Sequence, residues 1–170
     1  MMKAQPSPLK CTCYYVTDLV VTANPKYDPK KPSRLDFHDL LVDGRTEKTK
    51  EKEQKQPLWR ISLKVTQNAG VAKNAPYNFS ISILGHFIVH PDYPEVKTKQ
   101  LVSIHGCSLL YTTAREILRS AMGHGPFQPL VLPTVHFLES GGQPYVEASE
   151  TYKAPPPETY NSTSPNSPLQ

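Results

Sequence analysis

Apolar and polar positions alternate with a period of two along much of the first half of the chain. The period then lengthens once. Residues 58–67, LWRISLKVTQ, place Trp59, Ile61, Leu63 and Val65 on one side and Arg60, Ser62, Lys64 and Thr66 on the other. That is the two-residue repeat of a half-buried strand. YNFSISILGHFIV, 77–89, opposes Phe79, Ile81 and Ile83 to Asn78, Ser80 and Ser82, and Gly85 interrupts it as a bulge would. LKCTCYYVTDLVVTA, 9–23, is rich in β-branched and aromatic residues and predicts a long first strand. LDFHDLLV, 35–42, predicts a second. NPKYDPKKPSR, 24–34, carries three prolines and four cations and predicts a loop. DGRTEKTKEKEQKQP, 43–57, has no large apolar residue and predicts a solvated loop. NAGVAKNAP, 68–76, predicts a hairpin connection.

From about Val96 the apolar residues Leu101, Ile104, Leu110, Ala114, Ile117, Leu118 and Ala121 recur at helical spacing. Gly106 falls inside that pattern and weakens a helix by roughly 0.5–1 kcal/mol relative to alanine. The expectation is a short helix ending near Gly106 and a longer one N-capped by Ser108. Gly123, Gly125 and Pro126 stop the second helix. Residues 108–122 carry apolar side chains on more than one side, which predicts a second partner besides the sheet. Strands followed by a helix, without βαβ alternation, define an α+β fold with a four-stranded antiparallel sheet and a long helix packed on it. Residues 1–8 are expected to be a flexible N-terminus, 9–138 the folded domain and 139–170 a disordered Pro/Ser/Thr-rich tail.

Composition narrows the function. The 170 residues fit one domain. A net charge of +4 and a pI near 8.9 are too weakly basic to mark a nucleic-acid binder. Glu47, Glu51 and Glu53 also neutralise much of the lysine run at Lys48, Lys50 and Lys52. No apolar run reaches the ~18 residues of a membrane span. The N-terminal residues lack the apolar core of a secretory signal. Three cysteines argue against a disulfide framework and fit a reducing cytoplasm. Cys11 and Cys13, two apart in a strand, are expected to share a face and to stay unbridged. There is no CxxC, HExxH or phosphate-binding loop, and the six histidines are scattered. Cys107, near a helix start, reads as structural rather than nucleophilic. No enzyme, metal or cofactor is expected.

One long stretch carries a resemblance. LLYTTAREILRSAMGHGPFQPLVLPTVHF, 109–137, resembles the signature region of SecB-type export chaperones. There an aromatic-x-x-Ala-Arg-Glu helix runs into a Gly-(Thr/Pro)-Phe turn, a leucine-rich segment and a Pro-Val-x-Phe-like end. Tyr111, Ala114, Arg115, Glu116, Gly125, Pro126, Phe127, Pro129, Leu130, Leu132, Pro133, Val135 and Phe137 match. The resemblance implies an ATP-independent holdase for unfolded or nascent polypeptides, assembled as a homotetramer, a dimer of dimers. It implies client contacts at Tyr27, Phe37, Leu40, Phe127, Leu130, Leu132 and Val135. It implies oligomer contacts at Tyr14, Val16, Leu110, Ala114, Ile117, Leu118 and Ala121. Where the family offers acids to the SecA motor, this chain keeps Asp18 but aligns Thr22 and Ser80. Weak steering towards a basic motor segment follows, and the expected clients are either export preproteins or a dedicated one, which in some relatives is an antitoxin. The alternative is an interaction module that offers APPPETY, 154–160, as a polyproline ligand.

Overall fold

The computed structural model describes residues 3, 5–33, 35–49, 57–67 and 74–138. Four strands, β1 (Leu9–Ala23), β2 (Leu40–Thr49), β3 (Leu58–Gln67) and β4 (Tyr77–Val89), form one antiparallel sheet in the order β1-β4-β3-β2. β2, β3 and β4 follow one another as a meander, while β1 lies on the free edge of β4. The connection 24–39 must therefore cross from one edge of the sheet to the other, a Greek-key path. The α+β architecture and the bounds of the first, third and fourth strands agree with the sequence pattern.

The second strand does not lie where the pattern put it. Phe37–Asp39 form a 3₁₀ turn, closed by Asp39 accepting from the Asp36 N–H at 2.8 Å, and the strand starts at Leu40. It then runs through the first half of the charged segment, as far as Thr49. The reason is tertiary. β2 is an edge strand, and its outward side chains can stay charged while cross-strand pairing holds them. Glu47 faces Arg60 in register and pairs with its guanidinium, and Asp43 faces Lys64. Residues 50–56 and 68–73, the rest of the two expected loops, lie outside the described residues, as does the whole of 139–170.

Two glycines act by close approach. The expected bulge at Gly85 is absent, because β3–β4 pairing runs unbroken past it. A Cβ there would sit 2.7 Å from Phe87 and 2.9 Å from Leu110, so its absence admits the helix. The register slips lie in β1 instead, between Cys11 and Cys13 and between Val16 and Asp18. The first slip sets Cys11 opposite inward-facing Phe87 and Cys13 opposite outward-facing His86, so these cysteines do not share a face.

Nor does the helix end at Gly106. α1 (Glu95–Leu101) passes through a π turn, Val102–Gly106, into α2 (Cys107–Met122) with helical torsions throughout. Ser108 caps nothing. Its hydroxyl donates back to the Ile104 carbonyl at 2.7 Å, from inside the helix. Gly106 is present because its backbone presses on the sheet: a Cβ would fall 2.1 Å from Ile61 Cδ1. Val102, Leu110, Ala114, Leu118 and Met122 cover the inner face formed by Ile61, Leu63, Val65, Tyr77, Phe79, Ile81, Ile83 and Phe87.

Candidate functional site

After α2 the chain turns at Gly123, whose N–H donates to the Arg119 carbonyl at 3.0 Å. Residues 126–138 then form an extended strap without regular structure. Pro126, Pro129 and Pro133 explain this, since proline suits neither a helix interior nor a central strand. The strap returns along α2, and two tyrosines fix it. The Tyr77 hydroxyl accepts from the Phe127 N–H at 2.9 Å and faces the Phe127 and Met122 carbonyls at 2.6 and 3.0 Å. Tyr111 donates to the Pro133 carbonyl at 2.8 Å, and its ring meets Phe137 edge-on at 6.1 Å. Leu130 and Leu132 point inward and are buried, whereas Val131 between them is 73% exposed.

The crossover loop 24–39 borders the first half of the strap. Asn74, in the left-handed region at φ 52°, holds that loop. Its side-chain oxygen accepts from the Asp28 N–H at 2.9 Å, and its amide donates to the Asp28 and Lys31 carbonyls. The Tyr27 ring meets Phe127 edge-on at 4.8 Å, and Phe127 meets Tyr77 at 5.9 Å. Such edge-to-face contacts are favourable beyond their buried area. A cavity of about 330 Å³ lies here, lined by Tyr27, Leu35, Pro129, Leu130 and Val131 among others. A second, of about 500 Å³, lies at the far end of the strap between the inner face of β2 and the helix. Val42, Gly44, Lys99, Cys107, Phe137 and Leu138 line it. Burial pushes the Cys107 thiol up to about 11, and Tyr111 up to about 12 despite nearby Arg115, so neither is an activated nucleophile. Among the described residues no three metal-ligating side chains come together, and no helix is long and apolar enough to cross a membrane.

Of the residues expected to touch a client, Tyr27 and Leu130 line the first cavity, and Phe127 packs against Tyr27 beside it. Val135 is half-buried further along the strap. Leu40 and Leu132 belong to the core, and Phe37 stands exposed beside His38. Val131 and Leu35, not among those expected residues, line the same cavity, and the alternation Leu130-Val131-Leu132 carries the signal for Val131. Of the residues expected at an oligomer interface, Leu110, Ala114 and Leu118 are fully buried within the chain, because their i, i+4 stripe is the one that faces the sheet. Ile117 and Ala121 are half-buried. Tyr14 and Val16 are exposed on β1, as are Tyr15, Leu19 and Val20. Asp18 lies on the outer sheet face, with Thr22 opposite Asn78 and Ser80 bonded to Thr66 at 3.1 Å. That face mixes Asp18, Asp43 and Glu47 with Arg45, Arg60 and Lys64, without an acidic patch.

The four-stranded sheet, its long helix and the returning strap define an α+β chain with one sheet face covered. Residues 35–140 match the family model described as preprotein translocase subunit SecB, and the chain belongs to that family. Among individual relatives, it is 31% identical over 80 residues to the protein-export protein SecB of two strains of Acidithiobacillus ferrooxidans. The match covers 47% of this chain and 53% of theirs, so the chain spans about half the length of the curated relatives it matches. A Mycobacterium tuberculosis SecB-like chaperone, solved with a ChAD peptide from the HigA1 antitoxin, aligns at 15% identity and TM-score 0.44, covering 77% of this chain and 93% of that one. A Streptococcus agalactiae protein of unknown function aligns at 11% identity and TM-score 0.42, covering 76% and 97%.

Proposed function

We propose that this SecB-family chain is a holdase, which keeps unfolded or nascent polypeptides from aggregating without a nucleotide cycle. The observation that carries this reading is the first cavity, where Tyr27, Leu130 and exposed Val131 border a partly apolar space between loop and strap, with Phe127 packed behind Tyr27. A site for many sequences must rely on apolar area, at ~25 cal/mol per Å² removed from water, rather than on exact hydrogen bonding. Two cavities at the ends of one strap suit an extended client, because weak contacts along one chain reinforce each other. The subunits act as a homotetramer in the cytoplasm, with β1 and the outer side of α2 covered by copies.

The client is a dedicated one, such as an antitoxin, rather than the general export pool. The mixed charge of the outer sheet face supports this, because a basic motor segment gains little there from Coulomb steering. Serine replacements separate the alternatives. Val131→Ser and Phe127→Ser should weaken suppression of client aggregation more than they lower thermal stability. Leu132→Ser, in the core, should cost about 2–5 kcal/mol, in the range for gutting a buried leucine. If loss of holding tracks loss of stability in all three, the strap is core cover and the holdase reading of this cavity is wrong.

A further inference from the structure

A third cavity, of about 500 Å³, lies apart from the strap, where the ends of β2 and β4 meet the starts of β3 and α1. Its walls include Trp59 and Tyr93, with Pro57 and Pro91 between them and Lys48 and Lys99 at the rim. Trp59 is 6% exposed, and its indole N–H is buried without an acceptor. Buried donors are rarely left so, and the cavity that its ring helps to wall is where an acceptor could enter. Lys48 stands 5.8 Å from the ring centroid and 3.7 Å from exposed Glu95, on a flexible stem that can swing aside. Lys99 has no acidic partner among the described residues.

Lys99 also lines the second cavity, together with Phe137 and Leu138. Lys99 therefore links the Trp59 cavity to the one at which the described chain ends. Residues 139–158 are proline-rich and acidic, with Glu139, Glu147, Glu150 and Glu158 against Lys153 alone. Pro155-Pro156-Pro157 predicts a short polyproline II segment. In that conformation every carbonyl is free to accept, and the ring edges fit between flat aromatic walls. A linker of sixteen residues spans roughly 20 Å, enough for the segment to reach the cavity.

We propose that the Trp59–Tyr93 cavity receives the chain's own segment Pro155–Pro157. A proline carbonyl accepts from the Trp59 N–H, and Glu158 lies against Lys99. This cavity is not the one that carries the holdase reading, so either can fail without the other.

Trp59 is the one tryptophan of the chain, so its fluorescence reports the site directly. The test compares acrylamide quenching in the full chain with that of the full-length triple variant Pro155→Ser, Pro156→Ser, Pro157→Ser, with circular dichroism to confirm that both are folded. Quenching should rise in the variant from a low starting value, since Trp59 is 6% exposed with the cavity open. Added peptide KAPPPETY should restore the original value, and its triple-serine counterpart should not. Equal quenching in both chains, with no response to the peptide, overturns the proposal. Equal quenching with binding of the added peptide also overturns it, because the cavity then takes proline segments from a partner and not the tail.

Discussion

Gly106 sits where two effects oppose each other. Alanine there would improve helix propensity by up to ~1 kcal/mol. It would also drive a Cβ to 2.1 Å from Ile61 Cδ1, in a fully buried part of the core. The clash wins, and Gly106→Ala should destabilise the fold by about 1–3 kcal/mol in urea unfolding. Ile61→Val removes the clashing methyl group, so the double variant should lose less than the two single losses summed. A glycine inside a helical pattern looks the same in sequence whether it ends a helix or admits a neighbour, which is why its role was not legible. The acidity of buried groups was equally hidden. Cys107 and Tyr111 are neutral when protonated, and burial raises both from 9.0 and 10.0 to about 11 and about 12. Their contribution is complete below pH 9 and is lost as pH rises through about 11 and then about 12. Cys107→Ala should therefore flatten the fall in unfolding free energy between pH 9 and 11.

At the level of elements, period-two alternation placed β3 and β4 to the residue because their inner faces are apolar except for Gln67 at the end of β3. β2 escaped it because its inner face beyond Leu40 and Val42 carries Gly44 and Thr46, which leave no apolar period to read. The helix was legible as a period but not as a single body, since its continuity depends on the contact between Gly106 and Ile61. That difference is measurable at Ser108. Loss of a true N-cap costs typically ~1 kcal/mol. A serine bonding back to the carbonyl four residues earlier contributes little to a helix. Ser108→Ala should leave the melting temperature nearly unchanged. The strap was recognised through its signature residues, but the division between core and cavity within it depends on which way each side chain turns. Tyr77→Phe tests its anchorage: loss of the hydroxyl leaves the Phe127 N–H without its acceptor and should cost about 1–3 kcal/mol.

As a whole molecule, the single chain leaves Tyr14, Val16 and Leu19 uncovered on the helix side of β1 and Tyr15 and Val20 on the other. An edge strand with apolar residues on both faces is a strong template for another chain. Light scattering should give a tetramer of 19.0 kDa subunits. Val16→Glu should lower that mass while the subunit keeps its helix and sheet signals, because Val16 is 41% exposed in the lone subunit. A mass of 19.0 kDa for the unmodified protein across micromolar concentrations would refute the assembly. The sequence marked β1 as a strand with large apolar residues but not which of its faces would be left bare, since that depends on its place at the sheet edge. A newly made subunit thus presents a long, extended, apolar segment of the kind its own cavities are proposed to hold. If the cavities hold clients as proposed, assembly and capture would compete for the same strand, and a subunit produced faster than it finds partners would itself become a client.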